Sequence, residues 1–207
     1  MSGAWNQIDP GEPRPSLPDL IASWREFEWE ARPFRHDAMD RFLGELSRIN
    51  TLGGYQFGRW RARRFPAEAS WFVSRNMTTY YELFRVLFDD PLIRSDLAAL
   101  QIPTDLSNFR GTLHEERHGA LMLDGMWAGL LIDGGAYAKF EGSHRDAKGL
   151  AGEAVESLIE GRYEDFRLDT SDSAWTPWFR DVAWDRTFVL TDRANAEITV
   201  LCVTDMD

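Results

Sequence analysis

The segment His114-Glu115-Glu116-Arg117-His118 reads H-E-x-x-H. On a helix this spacing sets two imidazoles one turn apart, where they share a zinc ion while the intervening glutamate acts as general base on metal-bound water. His114 and His118 would then be ligands and Glu115 the base of a zinc-dependent hydrolase. The surroundings favour a polar surface turn ahead of a strand. Glu116 and Arg117 charge the inner positions, Gly111 and Gly119 bracket the run, and no H-x-x-G-x-x-H continuation supplies a third ligand. Glu141 or His144 would have to fold back to do so.

Tyr55, Phe57, Arg59, Trp60, Arg61, Arg63, Arg64 and Phe65 interleave aromatic and basic residues, as a surface that stacks bases and holds phosphates does. The alternation of Tyr55, Phe57 and Arg59 also describes one face of a strand. Arginine stems cover aromatic surface while their heads pair with acids, so an Arg–acid seam between the two halves of the chain is the competing reading. The net charge of -11 favours the seam and argues against nucleic acid as the main ligand.

Glu153, Glu156 and Glu160 recur at three- and four-residue spacing opposite an apolar helix face, and Glu164 and Asp165 follow. Such a stripe is either a solvated face or a docking surface whose charge speeds association with a basic partner. Trp175, Trp178, Phe179 and Trp184 concentrate large apolar area, which calls for core burial, Trp184 included, or for an interface anchor such as Trp178. Asp181, Asp185, Asp205 and Asp207 approach one neighbourhood if the last strands pair, but lack EF-hand spacing. Gly53-Gly54 and Gly134-Gly135 lack the companions of a phosphate loop or a dinucleotide fold. No cofactor is expected.

The elements that position these residues follow from periodicity. Four prolines between Pro10 and Pro18 make residues 1–18 an extended arm. Leu20, Ile21, Trp24, Phe27 and Ala31 predict a helix from Asp19 that stops before Pro33, with Arg25 on its polar side. Met39, Phe42, Leu43, Leu46 and Ile49 predict a second over Asp37–Ile49, broken by Asn50 and Gly53-Gly54. Met77, Tyr80, Tyr81, Phe84, Leu87 and Phe88 form a third apolar face, and Leu92 to Leu100 a short fourth helix. The period then changes. Ala120–Leu123, Asp124-Gly125 and Met126–Ile132 read as a hairpin, and Ala136–Phe140 extends it into a meander. Leu150 to Ile159 is one helix face, ending at Gly161. Phe166 and Leu168 suggest a strand, and Thr187–Thr191 with Ile198–Thr204 a long hairpin. The last run is apolar on both faces, so it should be central, with Cys202 packed and unreactive. Helices followed by a mostly antiparallel sheet with one packed helix give an α+β fold. A single domain over 19–207 results, helical over 19–102 and sheet-rich and acidic over 103–207.

Acidity is unevenly placed: residues 1–100 carry 13 basic and 14 acidic side chains, residues 101–207 carry 10 and 20. Such a surface repels phosphate backbones and anionic lipid and attracts basic proteins. No window nears the roughly 18 uninterrupted apolar residues of a membrane span, and the opening residues lack a secretory pattern. One cysteine excludes an internal disulfide and fits a reducing compartment. A cytoplasmic protein without membrane contact is expected.

The stretch Trp178-Phe179-Arg180-Asp181-Val182-Ala183-Trp184-Asp185-Arg186-Thr187, the hairpin after it and the terminal Thr204-Asp205-Met206-Asp207 resemble the ending of small acidic proteins that confer immunity to bacterial polymorphic toxins. The resemblance covers about the last thirty residues. It implies a protein that inhibits a toxin by covering it, with no catalytic residues to carry over. The expected partner is a basic toxin domain, met by Glu153, Glu156, Glu160, Glu164, Asp165 and Trp178. The alternative is the zinc-dependent hydrolase.

Overall fold

The computed structural model describes residue 5 and residues 7–23, 26–77, 83–106 and 113–206. In chain order its elements are α1 (Leu17–Ser23), β1 (Glu28–Ala31), α2 (Asp37–Ile49), β2 (Gly54–Arg64), α3 (Ala67–Ser74), α4 (Leu83–Asp89), α5 (Pro91–Asp96), β3 (His114–Glu115), α6 (Leu123–Asp133), α7 (His144–Ile159), β4 (Phe166–Ser171), β5 (Arg186–Asp192) and β6 (Glu197–Thr204). The strands form one antiparallel sheet in the order β1-β2-β6-β5-β4-β3. The fold is α+β.

Every residue of β6 is buried. Because side chains alternate along a strand, Ile198, Val200 and Cys202 enter one core while Leu201 and Val203 enter another. The first core gathers Trp60 and Val189 of the neighbouring strands with Leu20, Phe72, Leu87 and Ile93 from α1, α3, α4 and α5. The second gathers Phe188, Leu190 and Leu168 with Phe42, Trp127 and Val155 from α2, α6 and α7. Helices therefore cover both faces of the sheet, as a strand apolar on both sides requires.

Local chemistry sets the helix ends. His36 caps α2 by accepting from the Ala38 N–H at 3.2 Å, and the helix closes at Asn50, whose N–H returns to Leu46. At Gly53 a side chain would stand 2.2 Å from the Thr204 carbonyl oxygen, so only glycine lets this turn pass the end of β6. Ser143 and Asp146 form a reciprocal capping box on α7, which stops at Glu160 and Gly161, both with positive φ. The Ser143 hydrogen bonds hold the Asp146 carboxyl below its ordinary range.

Several sequence expectations are met. These are the helix Asp37–Ile49, the helix ending at Gly161, the strand at Phe166 and Leu168, and the final hairpin with its central last strand. Others are corrected. The helix expected from Asp19 to Ala31 is α1 alone, followed by β1; Trp24 and Arg25 lie outside the described residues. Trp29 is buried and Ala31 faces Trp60 across β2, so sheet pairing outweighs the local helical period. The hairpin expected over 120–132 is a 3₁₀ turn, Gly119–Met122, running into α6, and Ala136–Phe140 is a loop, so the meander expected there is absent and the one formed is β3-β4-β5-β6. An apolar run of this length fits a buried helix as well as two strands, and Asp124-Gly125 lies in a helical first turn, with Asp124 paired to Lys148 at 2.7 Å.

The short fourth helix is split into α5 and a 3₁₀ turn, Ala98–Leu100, and α3 was not anticipated. Tyr80 and Tyr81 of the third apolar face lie outside the described residues. Trp184 is half-buried rather than a core residue. The division into a helical and a sheet-rich half also changes, since β1 and β2 come from the first half and α6 and α7 from the second. The arm lies against the body: Trp5 is fully buried edge-on to Trp29 and Phe65, and the Asp9 carbonyl accepts from Arg75.

Two predictions follow from burial. Cys202 is fully buried, and desolvation pushes its thiol up to about 12, against the lowering effect of its contact with Thr187. The neutral thiol should therefore stay unlabelled by maleimide in native buffer and react at the rate of unfolding. A raised pKa also means that its contribution to stability is complete below the ordinary value of 9.0 and is lost as pH rises towards 12. Chemical denaturation of Cys202→Ala should accordingly show a smaller alkaline loss than wild type. Gly149 is exposed within α7 with open space around an added Cβ. Gly149→Ala should raise stability by about 0.5–1 kcal/mol in urea titrations, since glycine costs that much inside a helix.

Candidate functional site

The second-core helices present the acidic stripe. α7 lies between α2 and α6, its apolar residues Ala147, Ala151, Ala154, Val155 and Leu158 turned to the sheet, so Glu153 and Glu156 fall on the outer face. Glu153 pairs with Arg41 of α2 at 2.5 Å, both well exposed. Glu156 accepts from the Tyr163 hydroxyl at 3.0 Å, which raises the phenol pKa. Glu160 is the exposed residue at the left-handed end of α7. Glu164 and Asp165 continue in a 3₁₀ turn, Tyr163–Asp165. There the Arg193 guanidinium donates to the Glu164 carbonyl at 2.7 Å, and Asp165 stands 3.7 Å from Arg162. Glu153 and Glu156 thus lie on α7, Glu160 at its end beside the Arg162 cavity, and Glu164 and Asp165 in the turn after it, with Asp165 mostly buried.

Trp178 does not join them. It packs edge-on to Phe179 at 5.1 Å, half-buried against the first core, on the opposite face of the sheet. The six expected contact residues are therefore two separate features.

The H-E-x-x-H segment is not helical. His114 and Glu115 form the edge strand β3, paired with Thr170 and Asp169, and Arg117 and His118 turn away from it. His114 borders a cavity with Met126, Thr170 and Phe188, whereas His118 borders a different one with Arg117, Leu121 and Tyr163. Extended backbone followed by a turn does not bring positions i and i+4 together as a helix does, so the alternative of a shared metal site at His114 and His118 loses the helix it depended on. Glu115 forms a close ion pair with the buried Arg167, and Glu116 accepts from the Thr170 hydroxyl at 2.6 Å. Among the described residues, no three His, Cys, Asp or Glu side chains come together as a metal site.

The clustered aspartates have structural partners. Asp185, fully buried, accepts from the backbone N–H groups of Arg180 and Val182 and from the Thr204 hydroxyl. Asp205, equally buried, accepts from Leu52 N–H at 2.9 Å and Ala136 N–H at 2.8 Å, tying both loops to the end of β6. Asp181 is an exposed turn residue with φ 59°, and Asp207 lies outside the described residues.

The arginine run forms the expected seam. Arg59 and Arg61 of β2 lie on the same face as Tyr55 and Phe57, Arg61 opposite Glu197 at the start of β6 and Arg59 opposite Thr199. Glu197 is 3% exposed and receives Arg59 Nη2 at 2.5 Å and Arg61 Nη2 at 2.6 Å, with Arg32 Nε at 3.8 Å. The Arg59 guanidinium also stacks over the Phe34 ring at 5.2 Å. On the next wall Arg162 grips the buried Asp192 with two hydrogen bonds, which raise the Arg162 pKa. Arg32, Arg162 and Glu197 escaped the sequence reading. Strand alternation pointed to Arg59 and Arg61, but nothing local marks their partners.

No protein-family model matches this chain, and no curated protein matches it. Among solved structures it is similar to a crystal structure of citrus MAF1, with a TM-score of 0.46 and 13% identity over 83% of this chain and 99% of that one. No helix of the described residues is long and apolar enough to cross a membrane.

Asp205 carries the prediction here. Asp205→Ala leaves two backbone N–H groups without their acceptor. It should cost about 2–4 kcal/mol, since buried donors without partners carry the full desolvation penalty. Urea unfolding would show this as a lower midpoint, with the larger effect expected at Asp205 than at the exposed Asp181.

Proposed function

We propose that the protein is a non-catalytic binding protein of the immunity or inhibitor type, which acts in the cytoplasm and neutralises a cognate bacterial toxin by covering it. The observation that carries this reading is the display of Glu153, Glu156 and Glu160 on the outer side of the central helix of its layer, outside both cores. These carboxylates hold no buried partner in place. Their exchange with solvent is cheap, and the charge remains available to steer a basic surface. The turn with Glu164 and Asp165 follows the stripe in the chain, while Trp178, on the other face, is a separate half-buried anchor rather than part of the same contact.

The test uses the product of the adjacent reading frame. Co-expression with that product should restore growth if it is a toxin, and purified components should associate. Reversal of Glu153 and Glu156 to lysine should change stability by less than about 1 kcal/mol, as surface ion pairs are worth little. Association should slow severalfold at low salt, with a shallower dependence on ionic strength than wild type. Identical association curves for wild type and double variant would remove the stripe from the interface, and failure to protect would reject the immunity reading.

A further inference from the structure

The seam distributes its charges unevenly. Arg32, Arg59, Arg61 and Arg162 line a half-open cavity of about 380 Å³ together with Pro33, Asn195, Glu160 and Glu197. Arg162 is matched by Asp192 and Asp165. At the other end, three guanidiniums converge on the single carboxylate of Glu197. Arg59 and Arg61 each take one of its oxygens, and Arg32, at 3.8 Å, is beyond hydrogen-bonding distance. Arg61 Nε is buried without a hydrogen-bond partner. Around Glu197 itself three guanidiniums thus share one carboxylate, whose Oε2 has no hydrogen-bond partner, and Glu160 is the other acid of the half-open cavity wall, inside a protein whose net charge is -11.

A purely structural ion pair does not call for this arrangement. One arginine on Glu197 would satisfy the buried carboxylate, and each further guanidinium adds repulsion and desolvation. The missing component is a compact dianion with several acceptor oxygens, because guanidinium forks match such oxygens in pairs. We propose that this cavity binds a phosphate group carried by a small molecule, with Arg32 and Arg61 as direct donors and Arg59 held in place by Glu197 and the Phe34 ring. The cavity is larger than phosphate alone requires and leaves space for an organic portion beside Pro33 and Asn195. A nucleic-acid strand is a poor fit: the site is one small cavity, and the acidic body around it repels an extended polyanion. This inference does not rest on the toxin-binding reading, although Glu160 of the acidic stripe borders the same cavity.

Isothermal titration calorimetry at low ionic strength, with inorganic phosphate and ribose 5-phosphate as probes, tests it. Both should bind at one saturable site, the ester more tightly than the free ion, and both should raise the melting temperature as a ligand of the folded state does. Arg32 is 44% exposed in its side chain, so Arg32→Ala should fold normally and weaken binding by about tenfold or more. Arg61→Lys retains the charge opposite Glu197 but loses the fork, and should weaken binding by a smaller factor. Arg63→Ala, at an exposed arginine outside the cavity, should bind as wild type. Absence of saturable binding by both probes, or equal binding by wild type and Arg32→Ala, would overturn the proposal.

Discussion

A strand buried on both faces has no place for an uncompensated charge, and β6 imposes that constraint on the whole molecule. Its backbone is satisfied by β2 and β5, and its side chains by two separate cores. Polar groups are pushed to its ends, where each buried carboxylate recruits partners from distant segments. At the start, Glu197 draws in Arg32, Arg59 and Arg61. Just past the end, Asp205 takes the N–H groups of Leu52 and Ala136, and Thr204 donates to Asp185. These end clusters set which loops approach the sheet, while the apolar middle supplies the driving force.

The same constraint decides where function can reside. Helices cover much of both sheet faces, and sheet residues reach the surface mainly near the strand ends, where Arg59, Arg61 and Glu197 line one cavity and Thr170 and Arg186 another. What remains is the outside of the helix layers and the sheet ends. The outer face of α7 displays carboxylates that do little for folding, whereas the Glu197 end gathers guanidiniums that are held rigidly by it. This arrangement groups like charges: most of the acids face solvent, where water screens them, and the arginines gather around buried carboxylates in a half-open cavity, with Glu160 at the border of the two. A basic macromolecule meets the first, and a small anion is suited to the second.

Much of the fold was legible because burial and period agreed. The 3.6-residue repeat of Met39, Phe42, Leu46 and Ile49 is one-sided, and the strand Ile198–Thr204 is apolar on both faces, so each had one plausible setting. Misreadings fell where the two signals part. Ala120–Ile132 is apolar almost throughout, and a buried helix then carries no periodic mark to separate it from paired strands. Phe27 and Ala31 continue the spacing of Leu20, but the backbone there is claimed by β2, an interaction made with residues thirty positions away. Trp184 shows a related failure: aromatic density signals burial somewhere, but Phe179 alone of this group enters the core, Trp175 and Trp178 pack against it, and Trp184 is left half outside.

The candidate sites separate along the same line. The glutamates of α7 were readable because a helix places i, i+3 and i+4 together, so the stripe exists in the sequence before it exists in space. The H-E-x-x-H spacing relied on the same rule and lost its meaning once β3 proved extended. The arginine cavity has no such signature. Its walls come from residues 32–33, 59–61, 160–162 and 195–197, which are joined through pairing of β2 with β6 and through the end of α7. One half was visible as alternation in β2, where Arg59 and Arg61 share a face and Trp60 points to the other core. The other half depended on strand order. Only when β6 lies beside β2, with Glu197 opposite Arg61, does a run of arginines that resembled a nucleic-acid surface become a cluster around one carboxylate.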